Sequence, residues 1–226
     1  ANTTGVSNTA IGSYSLQLNT TGSSNTAIGN CALQSDVSGN NNTAIGVGSL
    51  QANTRDDNTA IGAYSLNANT IGQYNVAVGA GSLQLNTTGV SNVGIGLQSL
   101  QLNTTGQFNT AIGTSALQFN TIGQNNTAIG YNAGIDLSGN SSNNTFLGTS
   151  TDVSSNTLIY NNSTAVGYKA VIDASNQIVL GGLPSGGSYP GIKIPGSYVG
   201  INGVYNPASG YALDVSGNTN IAGNFY

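Results

Sequence analysis

Apolar and polar positions along this chain recur in step. The stretch Asn8-Thr9-Ala10-Ile11-Gly12 returns as Asn25 to Gly29, Asn42 to Gly46, Asn58 to Gly62, Asn109 to Gly113 and Asn126 to Gly130. Softened copies stand at Asn75-Val76-Ala77-Val78-Gly79 and Asn92-Val93-Gly94-Ile95-Gly96. Their apolar centres form one ladder: Ile11, Ile28, Ile45, Ile61, Val78, Ile95, Ile112 and Ile129. A second ladder, Leu16, Leu33, Leu50, Leu66, Leu83, Leu100 and Leu117, follows the first at a fixed distance. Asn19, Asn53, Asn69, Asn86, Asn103 and Asn120 keep the same phase, as do Gly5, Gly22, Gly39, Gly72, Gly89, Gly106 and Gly123. The step is about 17 residues throughout, one shorter between Ile45 and Ile61, and a fixed period of this order is the signature of a solenoid.

The unit is too short for two helices, and β-branched Thr, Ile and Val mark one patch as strand. In T-A-I-G, alternation puts Thr9 and Ile11 on one face and Ala10 and Gly12 on the other. In S-L-Q-L, a second strand is expected, with Leu16 and Leu18 on one face and Gln17 opposed. Asn19 to Gly22 reads as a turn, because Gly and Asn tolerate left-handed backbone. One unit is then one coil of an all-β, parallel β-solenoid or β-roll, with about eight to nine coils. The Ile and Leu ladders are expected to form the subunit core, and the small face of Ala10 and Gly12 to allow close approach between chains.

A lone coil cannot exist. Burying one Ile and one Leu contributes roughly 3–6 kcal/mol, whereas ordering one whole unit costs on the order of 17–34 kcal/mol. Stacking adds hydrogen bonds between coils, continuous apolar ladders and aligned Asn amides. Eight coils at about 4.8 Å each make a rod of roughly 40 Å, with end edges that need a cap or a continuing chain.

The regular array occupies residues 1–148, including a degenerate copy at Asn144 to Gly148. Residues 149–181 hold looser repeats, at Ser163 to Ala170 and Asn176 to Gly181. Residues 182–226 read as a crossing segment with Pro184, Pro190 and Pro195, followed by a short β collar. Gly134 takes the place of a ladder Leu.

Composition narrows the role. Of 226 residues only 4% are charged, and Glu, His, Met and Trp are absent, against about 25% charged in an ordinary domain. The missing initiator Met suggests an internal or processed segment. So polar a chain invites a disordered reading, but a disordered linker has no reason to hold Ile and Leu at one phase. The net charge is -4, with Arg55, Lys169 and Lys193 the only cations. Phosphate binding needs clustered Lys and Arg, so nucleic acid is not an expected partner. No apolar run approaches the ~20 residues of a membrane span. Cys31 has no internal partner for a disulfide and reads as a small filler.

Catalytic chemistry is not expected. Triads and Cys/His zinc sites need His. Gly79-Ala80-Gly81 lacks the third Gly of a dinucleotide fingerprint. Asp36, Asp136, Asp152, Asp173 and Asp214 are scattered through turns, and the calcium-binding nonapeptide needs an acid in every repeat. The fourth unit departs, with Arg55-Asp56-Asp57 in a turn one residue short. It reads as a tighter, solvated turn rather than a calcium loop, since a calcium cage wants six to eight oxygens. We therefore expect no catalytic, cofactor or metal site, and the residues singled out are the two ladders.

The repeat resembles the head repeats of trimeric autotransporter adhesins, on Asn8 to Gly12 and its copies and, most closely, on Ser163 to Ala170 with Asn176 to Gly181. That resemblance implies a left-handed parallel β-roll and three associated chains, although those heads use a shorter unit. The C-terminal run Val199 to Tyr226 is similar to the collar of phage and large-virus fibre proteins. Asn206-Pro207, Tyr211 to Asn218 and Ile221-Ala222-Gly223 carry the match. In that family the collar precedes a self-cleaving chaperone domain that trimerises the fibre.

The two resemblances imply a homotrimeric, extracellular fibre segment on a virion or cell surface. It could extend into a longer filament and present a tip to a host receptor or glycan, while the segment itself does not insert into a membrane. The tail from about residue 182 would interlock the chains. A bacterial adhesin head is the alternative. A third reading is ice binding, from the ladder Thr9, Thr26, Thr43, Thr59, Thr110 and Thr127. In it Ile stands where a T-x-T array has its second Thr, and Val76 and Val93 interrupt.

Overall fold

The structure, a computed structural model, describes residues 2–181. Among them the regular structure is all β. The strands are β1 (Thr9–Ile11), β2 (Thr26–Ile28), β3 (Thr43–Ile45), β4 (Thr59–Ile61), β5 (Val76–Val78), β6 (Val93–Ile95) and β7 (Thr110–Ile112). They continue with β8 (Thr127–Ile129), β9 (Thr145–Leu147), β10 (Asp152–Val153), β11 (Thr164–Val166), β12 (Val171–Ile172) and β13 (Ile178–Leu180). Eleven of them form one sheet in the order β1 to β9, then β11, then β13, and β10 pairs with β12 beside it. Neighbours are parallel and in register by sequence position: Thr9 faces Thr26, Ala10 faces Ala27 and Ile11 faces Ile28. The fold is a parallel β-solenoid of about ten turns. The sheet runs without a break across residue 148, through β9, β11 and β13. The predicted crossing segment and collar at 182–226 lie outside the described residues.

Alternation along the strand is as expected, but the faces are the reverse of the expected ones. Ala27, Ala44, Ala60, Ala77, Ala111 and Ala128 are fully buried. Ile61, Ile95, Ile112 and Ile129, with Ile11 at the end, are exposed, and Ile28, Ile45 and Val78 are half-buried. The Ile ladder is therefore outside the subunit core, and the Ala face is inside it and closed to other chains. The Leu ladder is buried as expected, from Leu33 through Leu117. The reason is width. A coil this short encloses a thin interior, and Leu from the turn side fills it, leaving room for a methyl group opposite. Two adjacent coils show the trade directly. Where Gly134 replaces the Leu, Phe146 replaces the Ala and is fully buried. A Cβ at Gly134 would lie 2.9 Å from the Phe146 ring and 3.0 Å from Leu117.

The S-L-Q-L segment is not a strand. It is a run of turns in which Tyr14 and Leu16 have φ of 60° and 46°. Leu16 points in, and Leu18 is exposed. Every ladder Leu shares this left-handed backbone, up to Leu117 at 50°. Left-handed backbone costs an L-residue roughly 1–2 kcal/mol, which burial of the Leu side chain, roughly 1.5–3 kcal/mol, offsets. Gly is required at the bend after each strand. At Gly79 φ is +133° and an added Cβ would lie 2.4 Å from Gly96 O.

Two columns of buried Asn join the coils. In the first, each Oδ1 accepts the backbone N–H of the Asn in the next coil, as Asn75 Oδ1 does from Asn92 (3.0 Å). Each Nδ2 reaches on to a turn carbonyl of the next coil, as from Asn75 to Gly89 O (2.9 Å). The column runs from Asn8 to Asn144. In the second column Asn86 Nδ2 donates to Asn69 Oδ1 (2.8 Å), and Asn103 Nδ2 to Asn86 Oδ1 (2.8 Å). Thr beside that Asn also bridges coils, as when Thr87 Oγ1 donates to Thr104 O (3.1 Å). These bonds satisfy backbone and amide groups that a polar interior would otherwise leave unpaired.

Candidate functional site

The feature that stands apart chemically is the outer face of the eleven-stranded sheet. From β2 to β11 each strand of the sheet turns one inner residue into the core and presents two outward, whereas at the edges Ala10 of β1 is exposed and Val179 of β13 half-buried. The first outward column is Thr, with Val76, Val93 and Ile178 as exceptions, and is half-buried along most of its length. The second is aliphatic throughout: Ile, Val or Leu in every strand from Ile11 to Leu180. None of these eleven strands carries a charged residue. At about 4.8 Å per strand the aliphatic column is a continuous stripe of roughly 50 Å. Neighbours above and below shield part of each side chain, so Ile95 and Ile112 are each 37% exposed, against 58% for Ile11 at the edge. Isolated exposed apolar residues are ordinary, but a contiguous stripe on a rigid backbone marks an interaction surface.

The predicted ladder residues therefore separate by role. Leu16, Leu33, Leu50, Leu66, Leu83, Leu100 and Leu117 build the interior, whereas Ile11, Ile28, Ile45, Ile61, Val78, Ile95, Ile112 and Ile129 build the outer stripe. A third column, of amides, runs outside the Leu. Gln34 Nε2 donates to Gln17 Oε1 (2.9 Å), Gln51 to Gln34 (3.0 Å), and Gln118 to Gln101 (2.8 Å).

The short fourth turn uses its acids to bind the previous coil. Asp56 Oδ1 accepts from Asn40 N–H (2.7 Å) and Asn40 Nδ2 (3.1 Å), and Asp57 Oδ1 accepts from Asn41 Nδ2 (3.1 Å). Arg55 contributes its carbonyl, which accepts from Asn42 Nδ2 (2.7 Å) and Asn53 Nδ2 (2.6 Å). Among the described residues no three His, Cys, Asp or Glu come together. Cys31 is a half-buried free thiol with φ 57°, one of the left-handed turn positions.

Two carboxyls have unusual surroundings. Burial pushes Asp36 up to about 6, against lowering by the Gly39 N–H and the Asn42 amide. Burial, and then the nearby Asp136 charge, pushes Asp152 up to about 7, although the Val153 N–H lowers it. Asp136 N–H also donates to Asp152 Oδ1 (3.2 Å). Sequence reading placed both acids among scattered turn residues. The missed signal for Asp36 is its phase, one full repeat after Asn19, which puts a carboxyl in an amide column.

Comparison of the chain with protein-family models, curated proteins and solved structures finds no match, so its role is read from the outer face itself.

Proposed function

We propose that this chain is a segment of a trimeric adhesion fibre, extracellular on a virion or cell surface, acting as a rigid shaft that presents a host- or surface-binding tip. The observation that carries the reading is the uncharged aliphatic stripe along the eleven strands. Packing three copies with their stripes toward a common axis removes that surface from water at roughly 25 cal/mol per Å² of apolar area. It uses Thr and Ile, not the Ala face, as the contact between chains. Stacked coils joined by buried amide columns supply stiffness, and an exterior of Asn, Gln, Ser and Thr keeps the shaft soluble with almost no charge. Its partner is first itself. The receptor or glycan would be met at a tip, in the manner of the adhesin heads that the repeat resembles.

Light scattering on the native particle tests this. A mass three times 22.6 kDa is expected, and a monomer would remove the proposal. A second reading has an observation of its own, the outward Thr column one residue removed from a flat aliphatic one. On a monomer that face stays free, and ice binding becomes the better account. Thermal hysteresis measured at high concentration decides it, and none is expected of the trimer.

A further inference from the structure

The second Asn column follows a rule. In an ordinary rung Nδ2 donates twice: to the carbonyl of the Gly three residues on, and to Oδ1 of the Asn one coil before. Asn86 donates to Gly89 O (3.1 Å) and Asn69 Oδ1 (2.8 Å). Asn103 and Asn120 do the same toward Gly106 and Asn86, and toward Gly123 and Asn103. Among the described residues two buried side-chain polar atoms have no partner, Asn19 Oδ1 and Asn120 Oδ1. Both are explained by the rung that follows. After Asn120 the column position is Leu137, fully buried, which has nothing to donate. After Asn19 it is Asp36, also fully buried.

Asp36 fits the column in shape but not in its ionised chemistry. Its Oδ1 accepts the Gly39 N–H (2.8 Å), and Asn42 Nδ2 approaches Oδ2 (3.4 Å). In the ordinary rungs the second atom of the head group is an N–H donor between two acceptors, whereas Asn53, the rung after Asp36, donates to Arg55 O (2.6 Å). A carboxylate brings only acceptors there. Gly39 O already receives Asn25 Nδ2 (2.7 Å), so the acceptor left without a donor is Asn19 Oδ1.

We infer that Asp36 is a proton-binding rung of the column: held as the neutral acid, it donates its O–H to Asn19 Oδ1 where other rungs donate an amide N–H, and the coil contact weakens when that proton leaves. No bond other than O–H is made or broken, and the proton is exchanged with solvent. The charged neighbours agree. On the coil before, residues 8–24, the ionisable side chain is the exposed Tyr14. On its own coil the other ionisable side chain is Cys31. The coil after brings Arg55, Asp56 and Asp57, of which Asp56 adds a like charge that disfavours ionisation of Asp36. Burial raises the group from 3.8 to about 6 in the fold. The folded state therefore holds the proton more tightly than the unfolded one. The contact is complete below the unfolded value, weakens as pH rises through about 6, and is absent above it. The site is thus one that mild acid tightens and neutral or alkaline solution loosens, and it belongs to the coil whatever the assembly does.

The test is thermal unfolding of the full chain and of D36N at about pH 5 and about pH 8. Asp152 titrates equally in both proteins, so the difference between them is the readout. The amide in D36N supplies the missing donor at every pH. At about pH 8 D36N should melt above the wild type, and its fall between the two pH values should be smaller. Equal pH dependence in the two proteins, or a D36N that melts below the wild type at about pH 8, would overturn the inference. A second measurement stands if D36N fails to fold. Infrared spectra of D152N, which leaves Asp36 as the raised carboxyl of the described shaft, should show a protonated-carboxyl stretch at about pH 5 that disappears by about pH 8. A spectrum without that band at about pH 5 contradicts the assignment.

Discussion

Replacing one buried amide by a methyl group should cost more than removing an amide of the outer Gln column. Asn75 is fully buried. Its Nδ2 donates to Gly89 O (2.9 Å) and approaches Asn58 Oδ1 (3.2 Å), and its Oδ1 accepts the Asn92 N–H (3.0 Å). In Asn75→Ala the Gly89 carbonyl keeps the Asn86 amide (3.1 Å), but the Asn92 N–H loses its partner inside the coil. Asn58 Oδ1 does not, since the Asn75 backbone N–H still donates to it (3.1 Å). An unsatisfied buried group costs about 1–3 kcal/mol, so the variant should lose about that much, before any cavity term. The control is Gln101→Ala in the outer amide column. It loses one bond to Gln84 (3.0 Å) and one from Gln118 (2.8 Å), both part-exposed. Water can replace those bonds, and each is worth about 0.5–1.5 kcal/mol at most. Denaturant unfolding at one fixed protein concentration reads both, because the midpoint of an oligomer shifts with concentration. An Asn75→Ala that lies within about 0.5 kcal/mol of the wild type, or costs less than Gln101→Ala, would refute a buried structural role for this amide.

Three further outcomes follow from other parts of the shaft. Gly134→Leu alone should destabilise by about 1–3 kcal/mol through overpacking and Phe146→Ala alone by about 3–5 kcal/mol. The double variant restores the ordinary Leu–Ala pair and should lie near the wild type, so a denaturation cycle with no coupling would refute the width argument. Ile112→Asp combined with Ile129→Asp puts charges in the stripe without touching the coil interior. It should leave the β circular-dichroism spectrum intact while abolishing the proposed trimer, as read by light scattering. Asp152, raised to about 7, binds its proton more tightly folded than unfolded. Its contribution is present in acid and is lost as pH rises through about 7, by a few kcal/mol at most. Asp152→Asn should flatten the wild-type fall in melting temperature between about pH 5 and about pH 8, and an unchanged fall contradicts it.

The period, the strand positions and the in-register stacking were legible in the sequence, because Thr, Ile and Gly return at one phase in coil after coil. Which strand face points inward was not read correctly. Alternation separates Ala77 from Val76 and Val78 but does not say which side is the core, and hydrophobicity argued for the larger residues. Size tolerance pointed the other way. The inner position accepts Ala or Gly94 and turns to Phe146 only where Gly134 gives up its Leu, whereas the outer positions vary between Thr, Val, Ile and Leu. The Leu segment was misread as a strand because Leu carries no preference for the left-handed backbone it adopts at Leu33 or Leu83. The Gly at positions 48, 81 and 134, within the same turns, was the available hint. Asp36 is distinguished by its phase in the repeat and not by its residue type, which it shares with other turn acids. An acid in a column of amides is visible in the repeat alignment, but its burial and the orphaned Asn19 Oδ1 are tertiary facts.

The central claim is that the outer stripe is covered by other copies of the chain. The most direct measurement is the alkylation rate of a thiol placed on it, as Ile95→Cys with Cys31 changed to Ser, in the native particle. Ile95 is 37% exposed on the single chain, enough for reagent to reach a thiol there. The account predicts protection in the native particle that vanishes on unfolding, while Tyr64→Cys, at an exposed turn, reacts freely in the same background. Reaction at position 95 as fast as at position 64 would mean that the stripe faces solvent, and the fibre reading would fall with it.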